Sequence, residues 1–131
     1  MKLTQNEIFY INELAKISGV TAKDCIIHKD KISFLVNEEK LGKAIGRKGC
    51  NIKELNKKIK KRIELYSYSN NLKEFFEKNL DLKVLEIKNN DSIVEVKAEN
   101  TKNISYNKRK LQELKMFLKR MNNIKEIKIR K

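Results

Sequence analysis

Ala44-Ile45-Gly46-Arg47-Lys48-Gly49-Cys50-Asn51-Ile52 is the stretch on which the reading of the whole chain turns. The 131-residue sequence contains 4 glycines, at 19, 42, 46 and 49, and three of them fall between Leu41 and Ile52. Such clustering needs a backbone reason. Gly46 and Gly49 lie between two helical segments, where they can take angles closed to other residues and let another backbone approach. Arg47 and Lys48, between them, point positive charge outward. The N–H groups that open the following helix face the same loop, and the helix dipole favours an anion there. Together these features describe a turn that contacts phosphate.

Outward from this loop, apolar periodicity sets the elements. Thr4-Gln5-Asn6-Glu7 has the form of a capping box, and Ile8, Ile11, Leu14, Ala15 and Ile17 follow at helical spacing up to a stop at Gly19. Cys25-Ile26-Ile27 predicts a strand before a Lys29-Asp30-Lys31 turn, and Ile32, Phe34 and Val36 alternate with Ser33, Leu35 and Asn37 in another. Residues 39–45 predict a short helix ended by glycine. Ile52, Leu55 and Ile59 form a second helical stripe, and Ile63 and Leu65 a strand before a break at Ser67–Asn71.

The order then repeats. Leu72, Phe75, Phe76 and Leu80 predict a helix, and Leu85 and Ile87 a strand. Asn89-Asn90-Asp91 reads as a turn, and Ile93, Val94 and Val96 as a strand. Residues 99–104 are weakly specified, with room for a short helical turn. Leu111, Leu114, Phe117, Leu118 and Met121 form a strong helical stripe, and Ile127 and Ile129 a last strand. Ile45, Ile52, Leu55 and Ile59 map onto Ile104, Leu111, Leu114 and Leu118 at a constant offset of 59. The expected fold class is therefore α+β, in two compact units of helix–strand–strand–helix–helix–strand, bounded at residues 1–68 and 69–131.

Charge follows the repeat. The formal net charge is +14, yet residues 40–62 hold ten Lys/Arg against Glu54 alone, and residues 101–131 hold eleven against Glu113 and Glu126. Each segment is thus about +9, and the remainder sums to −4. Concentrated positive charge predicts a polyanionic partner, through release of counterions from phosphates.

Several function classes fall away. No apolar run approaches the roughly 20 residues that span a bilayer, and the N-terminus does not read as a secretory signal, so a cytoplasmic protein is expected. Cys25 and Cys50 match no zinc spacing, and the single histidine, His28, cannot complete a metal site. No metal, cofactor or small-molecule substrate is expected. The Gly42–Gly49 stretch fails the Walker pattern, because only three residues separate Gly42 from Gly46 and no Ser/Thr follows a Lys. No nucleophile–base pair can be assigned, so no catalytic residue is named. Glu13 to Thr21 resembles the turn of a DNA-reading helix-turn-helix. Its recognition helix would have to be Ala22 to Lys31, which reads as a strand and hairpin, and residues 1–39 sum to −1.

The Ala44–Ile52 stretch resembles the glycine-loop motif of KH domains, in which a GxxG loop clamps the nucleic-acid backbone. The element order looks like the type II form of that fold, and a chain made of two such units resembles the NusA-like transcription factors of archaea. The resemblance implies single-stranded RNA as partner, with RNA polymerase as a further candidate, in transcription elongation, termination or antitermination. A ribosome-associated or translation-related RNA-binding role is one alternative, and a helix-turn-helix DNA-binding regulator, read from Glu13 to Thr21, is kept as another. By the same resemblance Gly46, Arg47, Lys48 and Gly49 would meet the sugar-phosphate backbone. Ile45 and Ile52, with Val36 as a weaker candidate, would floor a groove for about four nucleotides. Lys43, Lys53 and Lys57 could add phosphate contacts. In the second unit Ser105 and Lys108 stand where the glycines would be, so a close clamp is not expected there. Lys108, Arg109 and Lys110 keep the charge, and Tyr106 is a candidate for base stacking.

Overall fold

Thr4 starts the first helix as its sequence promised. Its Oγ1 accepts from the Glu7 N–H at 3.1 Å while its own N–H donates to Glu7 Oε1 at 2.9 Å, a reciprocal cap worth about 1 kcal/mol. Helix α1 (Gln5–Ser18) ends at Gly19, whose left-handed φ of 75° lets its N–H reach the Ala15 carbonyl at 2.8 Å. The computed structural model describes residues 3–99, 108–122 and 124–130. Contacts divide the chain into two compact units, Lys2–Tyr68 and Ser69–Lys131.

In the first unit α1 is followed by β1 (Asp24–Ile27), β2 (Lys31–Asn37), α2 (Leu41–Ile45), α3 (Cys50–Ile59) and β3 (Arg62–Tyr68), with one-turn 3-10 segments at Glu38–Lys40 and Arg47–Gly49. β1 pairs antiparallel with β2, and β2 pairs parallel with β3, from Lys31 opposite Arg62 to Asn37 opposite Tyr68. A parallel pair needs a crossover, and α2, the glycine loop and α3 supply it. The segment a DNA-reading helix would need is therefore a hairpin: Cys25 and Ile26 are buried in β1, opposite Phe34 and Ser33.

Ile11 and Leu14 of α1, Cys25, Ile32, Phe34 and Val36 of the sheet, Ala44 of α2 and Leu55 of α3 form one buried cluster. Each fully buried side chain of the Val/Leu/Ile/Phe class contributes roughly 1.5–3 kcal/mol. Val36 is wholly buried in this core, so it cannot floor an open groove. Cys25 is buried in the same cluster and Cys50 is exposed; neither is in a disulfide. Two ion-pair sets tie the elements. Glu13 of α1 binds Lys58 of α3 and, at 3.3 Å, Lys16. The Lys58 hydrogen bond, aided by Lys16, outweighs burial and holds the Glu13 carboxyl below its ordinary 4.5. Glu64 of β3 accepts from Lys31 Nζ at 2.9 Å and from the Tyr66 hydroxyl at 3.1 Å. Burial pushes its pKa up, but Lys31, Tyr66 and Arg62 more than offset that, and it too lies below 4.5.

The second unit contains α4 (Leu72–Leu80), β4 (Lys83–Asn90), β5 (Ile93–Glu99), α5 (Lys108–Asn122) and β6 (Glu126–Arg130). Its sheet has the same connectivity, β4 antiparallel to β5 and β5 parallel to β6. Asn71 caps α4 by accepting from the Lys73 and Glu74 N–H groups at 2.9 and 3.4 Å. Phe75, Phe76, Val94, Val96, Leu114 and Phe117 are buried to within 1%. The Asn89-Asn90-Asp91 turn is shorter than expected: β4 runs through Asn90, and the turn is Asp91-Ser92. Leu85 lies in β4 as expected but is 49% exposed. A shift of register between Val84 and Glu86 gives one extra residue on this strand, so the alternation of faces changes there. On the outward face Glu86, Lys97 and Arg130 line up across the strands, as do Lys88, Glu95 and Lys128. Opposite charges placed this way, Glu86 with Lys97 and Glu95 with Lys88 and Lys128, contribute roughly 0.2–1 kcal/mol per pair, and the like charges of Lys97 and Arg130 work against them.

Two of the helical pairs matched at an offset of 59 share their burial, whereas Ile59 is half-buried and Leu118 buried. Leu55 and Leu114 are both 0% exposed, and Ile52 and Leu111 are both half-buried. The weakly specified 99–104 segment beyond Glu99, with Ile104, Ser105 and Tyr106, lies outside the described residues.

Candidate nucleic-acid interface

The glycine loop is built on a short anchor. α2 has 5 residues and is held by the fully buried Ala44, and the Gly46 N–H closes it by donating to the Gly42 carbonyl at 3.0 Å. Gly46 then takes φ 81°, ψ 169°, a region open essentially to glycine alone. Arg47, Lys48 and Gly49 make a single turn in which the Gly49 N–H donates to the Gly46 carbonyl at 3.1 Å. Lys48 and Gly49 are both left-handed, at φ 55° and 74°. α3 starts directly behind them.

Gly46 is required for a second reason. A Cβ there would lie 2.7 Å from Cγ and Nδ2 of Asn51 and 3.0 Å from its backbone nitrogen. Asn51 occupies that space because its Nδ2 donates to the Lys43 carbonyl at 3.0 Å, joining the start of α3 to the end of α2. Gly49 is different: a Cβ there would meet nothing within 4 Å. Its outer side is open, and no side chain caps the N-terminus of α3. The Cys50 N–H is taken by the Arg47 carbonyl, and the N–H groups that follow it in the first turn have no side-chain cap and can face an anion.

The structure brings most of the candidate residues to one place. Arg47 and Lys48 are exposed on the turn, Ile45 is 37% exposed at its entry, and Ile52 is half-buried one turn into α3. Lys53 is exposed beside them. Lys43 is exposed too, but its Cε and Nζ lie 3.5 Å from the point a Gly19 Cβ would occupy. Its ammonium therefore sits at the C-terminal cap of α1, where the helix dipole is negative. Arg47, Lys48 and Lys53 make no ion pair among the described residues, whereas Lys16, Lys58, Lys31 and Arg62 do. Sequence reasoning missed Asn51 as the residue that fixes the loop. The available signal was a short amide side chain two places after a glycine at a helix start. In the second unit Lys108, Arg109 and Lys110 are exposed at the start of α5.

No group of three or more His, Cys, Asp or Glu among the described residues could hold a metal ion. No helix among them is long and apolar enough to cross a membrane.

Comparison with known proteins agrees with this geometry. The chain is 33% identical over 75 residues to the probable transcription termination protein NusA of Methanocaldococcus jannaschii, covering 57% of this chain and 41% of that one. It is 37% identical over 75 residues to the protein of the same name from Methanococcus vannielii, covering 57% and 43%. The match thus spans less than half of those relatives' length. Among solved structures, the crystal structure of APE1850 superposes with a TM-score of 0.82 at 27% identity, covering 98% of this chain and 100% of that one. The profile of the KH domain matches residues 10–92, a span that takes in the glycine loop. The chain belongs to the KH-domain family, and the archaeal relatives it resembles carry the name probable transcription termination protein NusA.

Proposed function

We propose that this chain is a single-stranded RNA-binding protein of two tandem type II KH-like units, residues 1–68 and 69–131, and that it acts as a NusA-like factor in transcription elongation, termination or antitermination. The observation that carries the reading is the turn at Gly46–Gly49. Its outer side is open at Gly49, two unpaired cations stand on it, and uncapped N–H groups of α3 lie behind it. A phosphate seated there would meet backbone donors and charge at once. Ile45 and Ile52 offer apolar surface for an unpaired base. Lys43 and Lys53 flank the site, Lys43 at the α1 cap and Lys53 on α3. The names of the relatives support the transcriptional role and make RNA polymerase the candidate protein partner.

No chemistry is assigned to the loop; it holds RNA and turns nothing over. The second unit, with Ser105 and Lys108 in place of the glycines, contributes charge through the start of α5 without a close clamp. A cytoplasmic protein fits this role. The test is binding of a short single-stranded RNA to the Arg47→Asp/Lys48→Asp variant, with its fold checked by circular dichroism. A large loss of affinity is expected, and unchanged affinity defeats the clamp. Crosslinking and sequencing of bound RNA would separate nascent transcripts from ribosomal RNA, and recovery of ribosomal RNA alone would remove the transcriptional assignment.

A further inference from the structure

α3 carries cations that the glycine loop does not use. With 3.6 residues per turn, Leu55 faces the core and Lys58 faces Glu13 of α1, where the two are paired. Lys53 and Lys57 lie on the opposite side of the helix, and Lys60 follows at its C-terminal cap; all three are exposed. None makes an ion pair among the described residues. The acid of this segment, Glu54, sits on the flank nearer Lys58.

This row runs against local stability. Like charges three or four residues apart on a helix repel by roughly 0.2–0.5 kcal/mol per pair. Lys60 also holds a left-handed φ of 63°, a conformation that glycine or asparagine adopts at less cost. Four other cations of the same unit, Lys16, Lys31, Lys58 and Arg62, are by contrast matched to Glu13 and Glu64. A line of unpaired charge therefore starts at Arg47 and Lys48 and follows α3. Four residues of helix rise about 6 Å, close to the step between phosphates in an extended single strand. The line ends roughly 15 Å from the loop, the length of a ten-residue helix.

We propose that the RNA held at the glycine loop continues along the outer face of α3, its phosphates meeting Lys53, Lys57 and Lys60 in turn. This rests on the RNA-binding reading above and extends its footprint to one side of the loop. The path is electrostatic and blind to sequence, since no aromatic ring lies on it to stack a base.

The test uses tetrauridylate, and tetrauridylate lengthened at its 5′ or its 3′ end by abasic ribose phosphates, which add charge without bases. One of the two extensions should bind the intact chain about tenfold more tightly than the tetramer, through two added phosphate contacts. Lys60→Gln should cut that gain to roughly threefold, one of the two added contacts being lost, and leave tetramer affinity unchanged. The salt dependence for the favoured extension should then lessen by about 0.7 in log–log slope, the share of one lost contact on a single strand. If the variant keeps the full gain, or loses tetramer and extension alike, the path along α3 is wrong. If the intact chain binds none of the three oligomers, the RNA reading beneath it fails as well.

Discussion

The side chain of Asn51 occupies the space that a β-carbon on Gly46 would need: Nδ2 and Cγ lie 2.7 Å from that point while Nδ2 donates to the Lys43 carbonyl at 3.0 Å. The two residues are a lock and the gap it fits. The two glycines of the loop consequently have unequal roles, although they look alike in the sequence.

Gly46→Ala and Gly49→Ala should differ in cost. At Gly46 an alanine meets both a backbone region closed to it and the Asn51 amide, so a loss above 1–3 kcal/mol is expected, since about that much comes from the backbone alone. At Gly49 the space is open and only a left-handed conformation must be borne, at roughly 1–2 kcal/mol. Urea unfolding of the two variants measures this, and equal losses would contradict the geometry.

Asn51→Ala removes the link between α2 and α3 with little else disturbed. Stability should fall by about 0.5–1.5 kcal/mol, the net worth of one hydrogen bond. RNA affinity should fall several-fold because the turn is no longer held. Combined with Gly46→Ala, the losses should be less than additive, since Asn51→Ala vacates the space the new methyl needs. Strict additivity would mean that the two do not interact.

Acid should destabilise the first unit through Glu13 and Glu64. Both carboxyls are held below 4.5 in the fold, so the folded state favours their ionised forms more than the unfolded chain does. Their contribution is present in full above the unfolded value and is lost as pH falls through the lowered folded one. Glu64→Gln should therefore show a shallower loss of stability on acidification below pH 4.5 than the unaltered chain. Melting temperatures across that range decide it, and parallel curves would rule out Glu64 as a source of the acid lability.

Leu55→Ala and Leu114→Ala should each cost about 2–5 kcal/mol, because each empties a site with no exposure in its own unit. Leu85→Lys should stay within about 0.5 kcal/mol, because the extra residue in β4 has turned that side chain outward. Chemical denaturation of the three variants separates the cases, and a large loss at Leu85 would show that its apolar surface is used.

The sequence alone determined what local chemistry can specify. The Thr4–Glu7 cap, the stop at Gly19, the helical stripes through Leu55 and Leu114 and the glycine-flanked Arg47-Lys48 turn were all legible. They depend on residue type and spacing within a few positions of the chain. Tertiary structure decided what depends on distant partners. It withdrew Val36 from the surface because β2 lies in the core, and it turned Leu85 outward through a change of register with β5. It sent Lys43 to the end of α1 and matched Lys58 to Glu13, which left Lys53, Lys57 and Lys60 as the unpaired row. Asn51 became the lock of the loop only because α2 and α3 meet there. Side-chain charge can be read along a sequence, but its neutralisation cannot, because the counter-charge comes from an element that only folding brings near.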